Sequence, residues 1–233
     1  PEGEGALNER AHTFAETLDI IKGIKSGQYI YQPTIHVPEQ FLKKYNLSSD
    51  LCKFPPCRPD LIRLIDNDGK FVLQIIDIKA SKDITPSHRV QTALYSLMLQ
   101  ESLREKGFDI KVDLEKAGIW LYEQDEPELF DLHFDIKMVE EFLRNHLPVI
   151  LKSPIDKLSW HLYHRCELCE FYRHCKSEAE KNESVSMIPY LSSNGKKYLC
   201  NDSLSVNSLS ELELFLKKDN AENYLEDCGS LRN

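Results

Sequence analysis

The sequence predicts an α/β protein: a small mixed sheet flanked by helices, then a Cys-rich C-terminal segment and a small helical tail. Three observations carry this prediction. Strand-like and helix-like hydrophobic periods alternate along the chain as far as Leu151. A turn signal, Asn67-Asp68-Gly69, sits between two of the strand-like runs. Three cysteines crowd into the stretch from Cys166 to Cys175, near the point where the alternation ends.

From Ala6 to Lys25, the positions Phe14, Leu18, Ile21 and Ile24 recur at helical spacing, and Gly27 stops the run. Tyr29 to Ile35 reads as a strand. His36 to Pro56 is irregular, with a short helix around Gln40 to Tyr45. Asp60 to Ile65 alternates apolar and polar side chains, and Phe71 to Ala80 returns as a more apolar, more central strand. Thr85-Pro86-Ser87 is a helix start. The helix from His88 to Lys106 turns Val90, Leu94, Leu97 and Leu103 to a core, and Gly107 ends it. Lys116 to Tyr122 and Leu129 to Phe134 are two further strands. A long amphipathic helix covers Ile136 to Leu151, and Pro154 breaks it. Lys176 to Ser186 is charged and reads as a linker. Ile188 to Lys218 reads as a small helical element, and the last fifteen residues as an acidic, mobile end. The organisation expected is a core over 1–157, a Cys-rich segment over 158–180, and a linker with a small helical tail over 181–233.

Composition narrows the function classes. With 41% hydrophobic and 29% charged residues in 233, the chain is that of a globular protein. No apolar run reaches the ~18 residues of a membrane span, and the start has no signal-peptide pattern. A cytoplasmic or nucleoid-associated protein is expected. The chain opens PEGEG without Met, which reads as a piece of a longer protein. The net charge of −9 is unusual for a nucleic-acid binder, so any basic groove must be local or a larger partner must supply DNA affinity. An odd count of seven cysteines without a secretion signal points away from disulfides and toward ligation in a reducing compartment.

The hairpin carries the chemistry. Asp60 lies nine residues before Gly69 and Asp77 lies eight after it, so antiparallel pairing brings the two carboxylates to one end. Asp77 and Lys79, two apart on a strand, share a face. Two carboxylates so close repel unless a cation lies between them. Mg²⁺ or Mn²⁺ suits such a pair because it takes carboxylate oxygens and keeps positions for water and phosphate. Such a metal lowers the pKa of a bound water, and Lys79 can hold that water or offset charge on a phosphate. A surface hairpin with an ordinary Asp–Lys pair would carry the same three residues.

Pro59-Asp60, a strand, a turn and Asp77-Ile78-Lys79 resemble the pattern of the PD-(D/E)XK nuclease superfamily. Gln91-Thr92-Ala93-Leu94-Tyr95 on the next helix resembles the QxxxY motif of its RecB-like branch. Glu9 matches the acidic residue of that branch's first helix, with Asn8 where a His is common and His12 as a fallback ligand. The resemblance, covering about Ala6 to Cys175, implies a restriction-endonuclease-like core. It implies a metal-dependent DNA nuclease with Glu9, Asp60 and Asp77 as metal ligands. Lys79, Gln91 and Tyr95 complete the catalytic set. The substrates it implies are single-stranded DNA or DNA ends.

Cys166-Glu-Leu-Cys169 followed by Cys175 supplies three thiols, one short of a zinc or [4Fe–4S] set. Zinc with His164 or His174 as fourth ligand is one reading, and Cys52, Cys57 and Cys200 are further donors. The spacing is similar to the cluster motif of iron–sulfur RecB-like nucleases, among them CRISPR adaptation nucleases and helicase-attached modules. That resemblance implies a [4Fe–4S] cluster whose fourth Cys lies upstream. It also implies a covalently linked or associated helicase, and gives the tail a helix-hairpin-helix-like character. Two other readings compete: a vestigial nucleic-acid-binding or assembly module, and a zinc-binding structural domain.

Overall fold

A computed structural model describes residues 11–67, 69–154, 157, 158, 160–219 and 221. The chain divides into two compact units, 1–153 and 154–233.

The first unit is mixed α/β, a six-stranded mixed sheet flanked by helices. Helix α1 (Phe14–Gly23) begins with a capping box: Thr13 accepts the Glu16 N–H and Glu16 accepts the Thr13 N–H. Strand β1 (Tyr29–Tyr31) is shorter than the predicted Tyr29 to Ile35. Gln32, at φ 42°, turns the chain, and Pro33 removes a donor; Ile35 pairs alone with Cys57. Helix α2 (Glu39–Lys44) follows. Strands β2 (Leu61–Asn67) and β3 (Lys70–Lys79) form the expected hairpin, in register from Leu61↔Ile76 to Asn67↔Lys70. Gly69 takes φ +81° at the turn, a conformation other residues resist, and its N–H is accepted by Asp66.

Helix α3 (Pro86–Glu105) crosses from β3 to β5 (Lys116–Leu121), which lies parallel to β3. On the way β4 (Lys111–Val112), a two-residue strand with no sequence signal, also pairs parallel with β3. Strand β6 (Glu128–Asp131) closes the order β1-β2-β3-β5-β6. The fourth predicted strand, Leu129 to Phe134, ends early because Asp131 accepts the His133 N–H and starts helix α4 (His133–Glu141). The predicted single helix from Ile136 to Leu151 is three pieces: α4, a π-helical turn over Phe142–His146, and α5 (Leu147–Lys152). Pro148 in the first turn of α5 has no N–H to give the preceding turn, which suits a widened junction.

One core holds this unit together, built from Ile62, Leu64, Leu73 and Ile75 of the hairpin, Ala93, Leu97 and Met98 of α3, and Phe41 and Tyr45. Alternation along β3 puts Leu73, Ile75, Asp77 and Lys79 on one face, the face that meets this core. Two polar clamps fix the helices. Tyr45 donates its hydroxyl to Glu140, and Lys44 bridges Glu101 and Glu140. Burial, followed by the bond to Glu140, pushes the Tyr45 hydroxyl up to about 12. Arg89 near the start of α3 grips Asp135 and the carbonyl of Asp131, and stacks on Phe130 at 4.7 Å.

The second unit has its own small core of Val185, Leu191, Leu199, Val206 and Phe215. The segment predicted as a linker, Lys176 to Ser186, is ordered instead. Helix α6 (Tyr172–Lys181) runs through it, and a 3₁₀ turn follows at Val185–Met187. Its charges occupy the outer faces while Ala179 is fully buried, a pattern that composition alone reads as a linker. Helices α7 (Ser193–Leu199) and α8 (Leu209–Leu216) make the helical tail, each N-capped by a serine, Ser192 and Ser208. Lys196 stands on the Trp160 ring at 4.8 Å and donates to Trp160 O and Ser186. The acidic end predicted to be mobile falls almost wholly outside the described residues. Among the described residues no helix is long and apolar enough to cross a membrane.

Candidate metal centre

The hairpin register places Asp60 one step beyond the last formal pair, Leu61↔Ile76, and so opposite Asp77. Pro59, buried, and the bond from Gln32 N–H to Asp60 O hold the chain there as it enters β2. Asp60 does not simply face its neighbour. One carboxylate oxygen accepts the Ile78 N–H at 2.7 Å, so a side chain completes the ladder where the strand pairing stops. Parallel pairing with β5, Asp77↔Ile119 and Lys79↔Leu121, fixes the other edge.

Asp77 is 2% exposed, deep for a carboxylate. Lys79 Nζ is in ion-pair contact with Asp77 Oδ2, yet that buried oxygen receives no hydrogen bond of good geometry among the described residues. Burial is the main reason the Asp60 carboxyl is pushed up to about 6, and the adjoining Asp77 carboxyl adds to it. The Ile78 N–H and Lys79 pull the other way. The local charge is therefore two carboxylates against one ammonium, with one buried oxygen poorly served. A divalent cation could occupy such a carboxylate pair, with water and substrate oxygens completing its shell.

Helix α3 brings a second set of polar groups to this end of the sheet. Gln91 donates from Nε2 to the Tyr95 hydroxyl at 2.9 Å, one helical turn away. Burial raises the Tyr95 pKa; the Gln91 bond opposes this, and the charges of Asp77 and Lys79 both act on the hydroxyl. Asp60, Asp77, Lys79, Gln91 and Tyr95 thus form one neighbourhood. His88, which sequence reasoning passed over as a mere helix start, feels the charge of Lys79. The signal was legible: His88 precedes Gln91 by three and Tyr95 by seven.

The other candidate donors of the first unit stand as follows. Glu9 lies outside the described residues. His12 uses its backbone N–H on Gln32 O. Cys57 packs against Met98, its sulfur 3.4 Å from Sδ, and burial raises its thiol pKa. Cys52 packs on the core's edge.

In the second unit, Cys166 sits in a 3₁₀ turn (His164–Leu168), Cys169 just after it, and Cys175 on α6. The turn bonds Cys169 N–H to Cys166 O and Tyr172 N–H to Cys169 O draw this stretch into a compact coil. All three are free cysteines, and Cys169 is exposed. Among the described residues, no three His, Cys, Asp or Glu side chains are gathered as an ion would require. The thiols as they stand therefore do not form a ligand set for zinc or a cluster. Cys200 bonds to Val206 O, His164 packs edge-on to Tyr163, and His174 is exposed on α6. The Asp60–Asp77 pair does fit Mg²⁺ or Mn²⁺, which bind with one or two carboxylates and leave the other positions to water and substrate.

Compared with models of known protein families, with curated proteins and with solved structures, the chain gives no match.

Proposed function

We propose that the chain is a metal-dependent DNA nuclease of the PD-(D/E)XK type, acting on single-stranded DNA or DNA ends. The observation that carries this reading is the pairing of Asp60 with the buried Asp77 across a β-hairpin, with Lys79 on the same face. Mg²⁺ or Mn²⁺, held by the two carboxylates, would polarise a phosphate oxygen and acidify a bound water. Lys79 offsets charge on the phosphate or steadies the attacking water. Gln91, fixed by Tyr95, orients the substrate backbone. Asp77→Ala and Lys79→Ala should each cut phosphodiester cleavage at least about 100-fold while leaving the far-UV circular dichroism unchanged. The substrates are labelled single- and double-stranded DNA with Mg²⁺ or Mn²⁺. A folded wild-type protein that cuts neither substrate with either metal refutes the reading.

The scarcity of ligands favours a second reading, a vestigial module that binds nucleic acid without cutting it. Only two carboxylates meet at the centre among the described residues. Metal-free DNA binding that survives Asp77→Ala, with no cleavage by wild type, selects it. A [4Fe–4S] cluster on Cys166, Cys169 and Cys175, and an attached helicase, rest on cysteine spacing and resemblance. Anaerobic purification tests the cluster: absorbance near 400 nm supports it, and a colourless protein with stoichiometric zinc selects the zinc alternative.

A further inference from the structure

Gln91 and Tyr95 are part of a longer stripe on α3. His88 precedes them by three and seven residues, so the three side chains rise from one side of the helix. His88 is the third residue of α3, and its Nδ1 accepts the backbone N–H of Thr85 at 3.2 Å. That bond decides the tautomer. A ring nitrogen that accepts carries no proton, so the neutral imidazole bears its hydrogen on Nε2. Burial, and then the charge of Lys79, hold the ring's pKa below its ordinary value, which keeps it neutral near pH 7. Among the described residues no acceptor meets Nε2–H. The first turn of α3 has no acidic side chain to compete for it. An oriented donor, within range of the Lys79 ammonium and on the side of α3 that carries Gln91 and Tyr95, is arranged for an anionic ligand.

We propose that His88 is a substrate-positioning residue whose Nε2–H holds a non-bridging phosphate oxygen of the nucleic-acid backbone beside the Asp60–Asp77 centre. This rests on the nuclease reading and adds a contact that neither the Asp-Lys hairpin nor the Gln91–Tyr95 pair supplies. The bond forms alike in the bound and the reacting complex, so it acts on binding and not on the chemical step.

The competing role is purely structural, since His88 also caps its helix. Three variants separate the two. His88→Leu removes both the cap acceptor and the donor. His88→Gln keeps an acceptor for Thr85 N–H and an amide donor. Thr85→Ala removes the hydroxyl that accepts the His88 N–H, yet leaves the Thr85 N–H on Nδ1. Two readouts are needed: steady-state cleavage of a labelled single-stranded oligonucleotide with Mn²⁺, and fluorescence anisotropy of the same oligonucleotide in Ca²⁺. His88→Leu should raise KM and Kd about tenfold and keep kcat within about twofold. His88→Gln should recover to within about threefold of wild type, and Thr85→Ala should match wild type in both readouts. The proposal is overturned if His88→Leu binds and cuts as wild type does, if it loses kcat alone, or if Thr85→Ala reproduces its KM. Failure of the nuclease reading looks different: wild type itself cuts nothing, and the proposal falls with it.

Discussion

Lys79→Met should weaken the metal-free protein far more than the metal-bound one. Among the described residues Lys79 is the one cation in ion-pair contact with Asp77, whose side chain is 2% exposed; Lys79's own is 22% exposed. Removing one member of a buried ion pair costs about 3–5 kcal/mol, and the partial exposure of Lys79 favours the low end, ~3 kcal/mol. In a unit of this size each kcal/mol moves the melting point by about 2–4 °C, so the loss in EDTA should be about 6–12 °C at pH 7.5. A divalent cation at a hundred times its Kd contributes about 2.7 kcal/mol to either protein, so the deficit narrows to the extent that the variant, with no ammonium competing for the carboxylates, binds the cation more tightly. Lowering the pH should narrow the gap as well. The Asp60 carboxyl sits near 6, above its ordinary 3.8, because burial and Asp77 disfavour its charge. The penalty on the ionised form is therefore absent below about 4 and complete above about 6. A metal-free protein taken from pH 7.5 to 5 sheds part of it. Circular dichroism melts of wild type and Lys79→Met, in EDTA and in MnCl₂, at pH 7.5 and 5, give the full comparison. Equal melting points in EDTA, or a deficit that Mn²⁺ leaves untouched, would refute the idea that Lys79 and a cation share the same two carboxylates.

Three further outcomes are expected. Because Asp60 must be ionised to hold a cation, the apparent Mn²⁺ affinity measured by calorimetry should fall about tenfold per pH unit below about 6, and stay level above it. Gly118→Ala should destabilise the first unit by about 1–2 kcal/mol in urea titrations. A Cβ there would lie 3.1 Å from Leu129 Cδ2, 3.2 Å from Ile76 Cγ1 and 3.3 Å from Pro127 Cβ. Ser208→Ala should cost about 1 kcal/mol in the second unit, read as faster hydrogen exchange at the Glu211 and Leu212 amides, because the Ser208 hydroxyl caps α8.

The hairpin and α3 were legible because their signals are local. Alternation from Leu61 to Lys79, the Gly69 turn and the Thr85-Pro86 start each act within a few residues, and the predicted edges fall within two of the observed ones. The proximity of Asp60 to Asp77 could be counted along the chain, since an antiparallel pair needs only a turn and a register. The bond from Ile78 N–H to Asp60 could not, because it depends on where pairing stops. Strand β4 was invisible for a related reason. Two residues carry no period, and Lys111–Val112 become a strand only because β3 offers an edge there. The α6 segment failed in the opposite direction. Its charges suggested solvent all round, whereas a single alanine, Ala179, marks the buried side. In the cysteine stretch, spacing told which thiols are close in sequence but not whether they converge, and the backbone coil leaves Cys169 exposed.

The register of β2 on β3 has a consequence for how this chain can vary. Asp60 meets Asp77 only because equal lengths of strand run back from the Gly69 turn, far from the acidic pair itself. Exchanging side chains along the arms leaves that equality alone. Adding or deleting one residue in a single arm does not: slipped by one, Asp77 and Lys79 would swing to the opposite face of the sheet together. Over evolutionary time the arms should therefore accept many spellings but few changes of length in one arm alone, while a length change compensated on both arms would pass unnoticed. The acidic centre is inherited as a distance counted along the chain as much as a set of letters.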